Sequence, residues 1–148
     1  MKHLMMAAIL GLFAVPALAD GDGDAEAGET QFSRQCVACH VIRDADGEMI
    51  AGRNANVGPN LYGVVGTVPG DVEGFDFSDA VLEWGATGAV WDEENFVGYV
   101  MNPTDFIREQ TGDDRARAKM AYQVRNEQHA RDIWAFLVSI QPESEASD

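Results

Sequence analysis

The stretch QCVACH, residues 35–40, holds the only two cysteines of the chain, Cys36 and Cys39, with His40 directly after them. Four chemistries use two thiols at this spacing. A structural disulfide would close almost no loop and so would stabilise little. A thioredoxin-like redox pair follows a strand in an alternating β/α pattern, and no such alternation is visible. A zinc site wants about four Cys, His or carboxylate ligands, whereas adjacent Cys39 and His40 make an awkward chelate and only His129 stands beyond them in the main body of the chain. The remaining reading is C-x-x-C-H, the attachment motif of c-type haem. Cys36 and Cys39 then add to the two vinyl groups of the macrocycle, and His40 becomes the proximal iron ligand. This reading uses every cysteine and accounts for the histidine.

Upstream, MKHLMMAAILGLFAVPALAD (residues 1–20) has Lys2 near its start, an apolar centre and Ala17-Leu18-Ala19 before Asp20. That is the pattern of a secretory signal peptide, and the apolar run is short for ~30 Å of hydrocarbon. Residues 1–19 are therefore expected to be a leader cleaved after about Ala19. Residues 20–148 are expected to form one domain outside the cytoplasm, with a frayed polar tail at about 142–148. Export suits the motif, because c-type haem is attached outside the bacterial cytoplasm. The chain carries 25 acidic against 10 basic residues, and loss of Lys2 takes the mature charge near −16. Such a charge favours solubility and argues against nucleic acid and anionic membranes as partners.

Around the motif the sequence reads as helices joined by glycine-rich loops. Asp24 is placed to cap a helix that runs into Cys36, with Gly28 and Phe32 four apart on one face. Asp92 caps a segment ending before Pro103, and Asn102 caps the next, with Pro103 at its first position. A short helix is expected around Ala80 to Trp84. Asn126 opens an amphipathic helix with Ile133, Phe136, Leu137 and Ile140 as its apolar stripe and Pro142 as its stop. AGRNANVGPNLYGVVG and TVPGDVEG read as loops, and no alternating strands stand out.

A haem so held needs a second axial ligand. Methionine thioether pairs with histidine in electron-carrying haem proteins and raises the potential. Met49, Met101 and Met120 are the candidates beyond the leader, with His129 a weaker one.

Taken in order, GDAEAGETQFSRQCVACH, GPNLYGVVG, GAVWDEENFVGYVMNP and the KM before a terminal amphipathic helix resemble the class I c-type cytochromes. The likeness is nearest the bacterial cytochrome c2 group, relatives of mitochondrial cytochrome c, and runs from about Gly23 to Ile140. It implies an all-α cytochrome c fold of about five helices around one covalently bound haem, with the first and last helices crossing. It implies Met120 as the sixth ligand. Pro59 matches the proline whose carbonyl accepts a hydrogen bond from the proximal histidine. Tyr99 matches the tyrosine that reaches the methionine sulfur, and Trp91 the tryptophan that meets a haem propionate. Three positions depart from the pattern. Thr67 stands where an arginine is often found, Phe77 where a propionate-binding tyrosine is found, and Ala118 where mitochondrial-type relatives have threonine. These touch the polar network around the haem and leave iron ligation alone.

With both axial positions filled, the expected role is not enzymatic. It is a monomeric periplasmic one-electron carrier, taking electrons from a cytochrome bc1-type donor to a photosynthetic reaction centre or a terminal oxidase. A haem protein that binds a gas or peroxide after Met120 leaves the iron is the alternative, and a haem-free binding module is a third. Arg115, Arg117, Lys119, Arg125 and Arg131 cluster around Met120 with only Glu127 among them. This suggests a locally positive docking edge, with Tyr122 as its apolar contact.

Overall fold

The computed structural model describes residues 22–142. The expected leader, and all of the expected frayed tail beyond Pro142, lie outside them. Five helices carry the architecture: α1 (Ala25–Gln35), α2 (Asp79–Ala86), α3 (Glu93–Met101), α4 (Pro103–Thr111) and α5 (Glu127–Ser139).

Each helix starts where a short polar side chain satisfies a free backbone N–H. Asp24 accepts from Ala27 at 2.9 Å, Asp92 from Asn95 at 2.8 Å and Asn126 from His129 at 3.2 Å. Asn102 does the same for Asp105, with Pro103 at the first position of α4, where its missing N–H costs nothing. Ser78 caps α2, which is longer at both ends than the Ala80 to Trp84 span read from sequence. Gly112, in the left-handed region at φ 69°, ends α4. α5 stops at Ser139, before Pro142 is reached.

α1 packs most extensively on α5. Gly28 is buried at their contact, and a Cβ there would overlap the carbonyl oxygen of Asp132 and lie 2.8 Å from the Phe136 Cβ. One helical turn on, Phe32 is fully buried with its ring centroid 5.8 Å from that of Phe136. Ile133, Phe136 and Leu137 of the expected stripe are buried on α5, whereas Ile140 lies just past its end as the half-buried C-cap, and one buried residue of the helix is an aspartate. Asp132 Oδ1 accepts from the backbone N–H of Asp24 at 3.0 Å and from Gln128 Nε2 at 2.9 Å. The contact is thus fixed by apolar packing and by a buried carboxylate that holds the entrance of α1. α3 adds Phe96, Val97 and Val100 to the same core, and Phe96 tilts against Trp134 at 5.3 Å. A second, smaller core gathers Val81, Trp84, Ile107 and Ala116 between α2 and α4.

The expectation of no strands needs correction. β1 (Val41–Arg43) and β2 (Met49–Gly52) form an antiparallel hairpin right after the cysteine motif. At three and four residues they are too short for a period-2 pattern to register. The turn signal was present nonetheless in Asp46-Gly47, where Gly47 takes φ 86°. Asp44 Oδ1 organises that turn by accepting from the N–H groups of Asp46 and Glu48.

Candidate haem site

The chain leaves α1 directly into the cysteine motif. Cys36 is the C-cap, its N–H donating to Phe32 O. The N–H groups of Cys39 and His40 both donate to the carbonyl of Cys36, at 3.0 and 2.9 Å. The three residues therefore occupy one tight turn, both thiols are free, and both are half-buried. Burial, with Cys39 adding a smaller repulsion, pushes the Cys36 thiol up to about 12. A redox-active C-x-x-C needs a thiol that ionises more easily than usual, so the disulfide-exchange reading loses support. Among the described residues no group of three or more His, Cys, Asp and Glu is arranged to hold a metal ion.

His40 Nδ1 lies 3.0 Å from the Pro59 carbonyl oxygen. A carbonyl can only accept, so the ring donates from Nδ1 and keeps its lone pair on Nε2. Burial lowers the His40 pKa, and the Pro59 bond offsets this in part. The imidazole is thereby held neutral, as a metal ligand must be. The loop carrying Pro59 lies against the ring itself, since a Cβ at Gly58 would come within 2.6 Å of Nδ1. Gly58 N–H also donates to Cys39 O at 2.8 Å. Cys36, Cys39, His40 and Pro59 are thus one assembly.

Trp91 and Tyr99 form the second part. Two backbone bonds, Gly66 N–H to Trp91 O and Trp91 N–H to Thr67 O, at 2.8 and 2.9 Å, lock Trp91 onto the Val64–Thr67 turn. Thr67 turns its own hydroxyl to Val64 O at 2.7 Å, so it serves that turn. Trp91 meets Tyr99 edge-on at 5.2 Å and Trp84 at 5.0 Å, and Phe106 meets Trp84 at 5.1 Å. Burial pushes the Tyr99 phenol up to about 12, which keeps its O–H as a donor. Phe77 and Ala118 both border the smaller core, where apolar residues pack without cost.

Met120 sits on the irregular segment between α4 and α5. That segment is pinned by Arg108 Nε to Ala116 O at 3.2 Å and by Val124 N–H to Val100 O at 2.8 Å. Met120 is half-buried and borders the main core, as do Cys36, Leu61, Tyr62, Trp91 and Tyr99. This rim of half-covered apolar side chains, next to two thiols and a neutral imidazole, fits a flat apolar macrocycle held by two thioethers. Met101 borders the same core from the end of α3, whereas Met49 is exposed on β2. His129 is half-buried in the first turn of α5.

The positive edge is weaker than the linear sequence suggested. Lys119 Nζ binds Asp76 Oδ2 at 2.6 Å, and Arg131 binds Glu93 at 3.0 Å and Glu127 at 2.6 Å. Both Glu partners raise the Arg131 pKa. Arg115, Arg117 and Arg125 are exposed and make no ion pair among the described residues. Tyr122 is 48% exposed, and its hydroxyl lies 3.1 Å from Gln35 Oε1, beside the first cysteine.

Sequence reasoning missed Gly58, Asn60 and Asp132. Gly58 and Asn60 flanked the one residue of GPN that was singled out. Asp132 stands one residue before the apolar stripe of α5, and its partner at Asp24 lies 108 residues away.

No protein-family model matches the chain. Known proteins do. Cytochrome c2 of Rhodovulum adriaticum is 53% identical over 121 residues, 82% of this chain and 95% of that protein. A cytochrome c2 of Cereibacter sphaeroides is 49% identical over 140 residues, 93% of this chain and 95% of the other. Among solved structures, cytochrome c2 from Rhodobacter sphaeroides superimposes with a TM-score of 0.80 at 47% identity, over 83% of this chain and all of that one. Ferric cytochrome c-550 from Paracoccus versutus gives 0.75 at 39% identity, over 82% and 100%. Proteins of this kind are electron carriers with one covalently bound haem c and are not enzymes. With that identity, coverage and all-α architecture, the chain belongs to the cytochrome c2 family of class I c-type cytochromes.

Proposed function

We propose that this chain is a soluble periplasmic shuttle, with Cys36 and Cys39 as the haem thioethers and His40 and Met120 as the axial ligands. The observation that carries the reading is the turn 36–40, which brings both thiols and an Nδ1-anchored His40 together at the end of α1. When bound, haem c supplies a one-electron ferric/ferrous couple. Cys36 and Cys39 fix its orientation. Pro59 holds the His40 ring and increases its electron donation. Met120 would supply the second iron ligand, Tyr99 would donate its O–H toward the Met120 sulfur, and Trp91 would offer its indole N–H to a propionate. With two protein ligands on the iron, no position would be left for a substrate. The apolar rim penalises the more highly charged ferric state, which makes the potential positive.

Export rests on the leader pattern of residues 1–19, and residues 20–148 act as one monomeric domain. No described helix is long and apolar enough to cross a membrane. The partners we propose are a bc1-type donor and a reaction centre or oxidase as acceptor, engaged briefly through the face bearing Arg115, Arg117, Tyr122 and Arg125. The test is the visible spectrum of purified ferric holoprotein. A low-spin spectrum with the weak far-red band of methionine–iron ligation is expected. A high-spin spectrum would favour gas or peroxide binding instead.

A further inference from the structure

The Pro59 carbonyl can hold His40 only if something holds Pro59. A proline peptide has no N–H of its own with which to anchor itself. The neighbouring residue does this. Asn60 Oδ1 accepts the backbone N–H of Arg43 at 3.0 Å, and Asn60 Nδ2 donates to the carbonyl of the same Arg43 at 2.7 Å. One side-chain amide therefore satisfies both backbone groups of one residue. Oδ1 also accepts from Tyr62 N–H at 3.2 Å. Leu61 N–H donates to Val41 O at 3.0 Å, and Asn60 makes a parallel bridge with Val41. Residues 58–62 are thus registered against residues 39–43, the strand that grows directly out of His40. Arg43 stiffens the far side. Its guanidinium donates to Gly47 O at 2.7 Å, within the hairpin turn, and to Asn54 Oδ1 at 3.1 Å.

We propose that Asn60 is a positioning residue for the proximal ligand. By clamping the backbone of Arg43 it aims the Pro59 carbonyl at His40 Nδ1, and so sets how strongly the imidazole donates to iron. The β1–β2 hairpin is then part of the redox site, although none of its side chains needs to touch the haem. This inference rests on His40 as an iron ligand. Alanine at 60 removes all three side-chain bonds. Aspartate keeps the acceptor but removes the donor and sets a carboxylate against the Arg43 carbonyl.

The experiment uses the ferrous, diamagnetic holoprotein. Proton NMR reads solvent exchange of the His40 Nδ1–H, and a redox titration reads the midpoint potential. In Asn60→Ala, exchange should be about tenfold faster, the order expected when one net hydrogen bond is lost from a local opening step. The potential should rise, because a weaker bond to Pro59 leaves the ring a poorer donor to ferric iron. Asn60→Asp should fall between Ala and wild type, and it carries the test if the alanine variant does not retain haem. A lower melting temperature with unchanged exchange and potential would overturn the proposal, leaving Asn60 a structural residue only. His40 signals without the large ring-current shifts of a haem ligand would overturn the ligation reading, and this inference with it.

Discussion

Gly28→Ala is the sharpest test of the helix contact on which the site is built. On an isolated helix the change should stabilise, by about 1 kcal/mol, since alanine is the better helix former. Here the new Cβ would overlap the Asp132 carbonyl oxygen and sit 2.8 Å from the Phe136 Cβ. The obstacle is mostly backbone, so no rotamer change can relieve it and the two helices must separate. Overpacking of this kind costs typically ~1–3 kcal/mol, and a rigid obstacle belongs at the upper end. Separation would also stretch the 3.0 Å bond from Asp24 N–H to Asp132, whose loss adds ~1 kcal/mol. Offsetting the propensity gain leaves a net loss of ~2–3 kcal/mol for alanine, and more for Gly28→Leu. Guanidinium unfolding of holoprotein, followed by far-UV circular dichroism, measures it. Glu29→Ala, one residue on and exposed, serves as the control and should stay within ~0.5 kcal/mol of wild type. If Gly28→Ala unfolds at or above the wild-type midpoint, the helices do not meet through Gly28 in solution.

Further outcomes follow from the site. Met120→Ala should keep its haem covalently attached, because attachment needs only the thiols, while losing the far-red methionine–iron band; an unchanged band would move the ligand to Met101. Tyr99 has a folded pKa of about 12 against 10.0 for the free group. A raised pKa gives stability that is complete below pH 10 and disappears as pH rises through 12. Wild type should therefore lose about 1–3 kcal/mol across that window, and Tyr99→Phe should lack this component in unfolding curves taken at pH 9, 10, 11 and 12.

The parts of this fold that could be read in advance are those encoded within four or five residues. Asp24, Asp92, Asn102 and Asn126 each sit three residues before the N–H they cap, so a helix start is a local statement. The cysteine motif was legible for the same reason, because the turn that joins its carbonyl and amide groups spans residues 36–40. The rest depends on partners far apart in the chain. Asn60 reaches back 17 residues to Arg43, Lys119 reaches 43 to Asp76, and Asp132 reaches 108 to Asp24. Nothing in the residues near Asp132 says that a carboxylate will be buried there. Its partner appears only once α1 lies on α5. The hairpin fell between these cases, with a readable turn but strands too short to show a pattern.

That distance dependence changes what the charges around Met120 are expected to do. Along the sequence, residues 115–131 form a run of five cations with one acid. In the folded chain Asp76 lies on Lys119, and Glu93 joins Glu127 on Arg131. A cation with a carboxylate at 2.6 Å presents a dipole to an approaching partner, and its field falls off faster than that of a bare charge. Arg115, Arg117 and Arg125, on either side of Met120, therefore carry the long-range part. Steering acts mainly on association rate and is screened by salt, as the Debye length falls from ~30 Å at 0.01 M to ~8 Å at 0.15 M. Stopped-flow electron transfer to an acidic-faced partner across that range separates the contributions. Arg117→Gln with Arg125→Gln should slow the low-salt rate by roughly threefold or more and flatten its salt slope. Lys119→Gln made together with Asp76→Asn removes that dipole without changing the net charge and should do markedly less. Equal effects from this double variant and the arginine pair would mean that the Lys119–Asp76 contact is open in solution. No effect from either would mean that the electron leaves by another face.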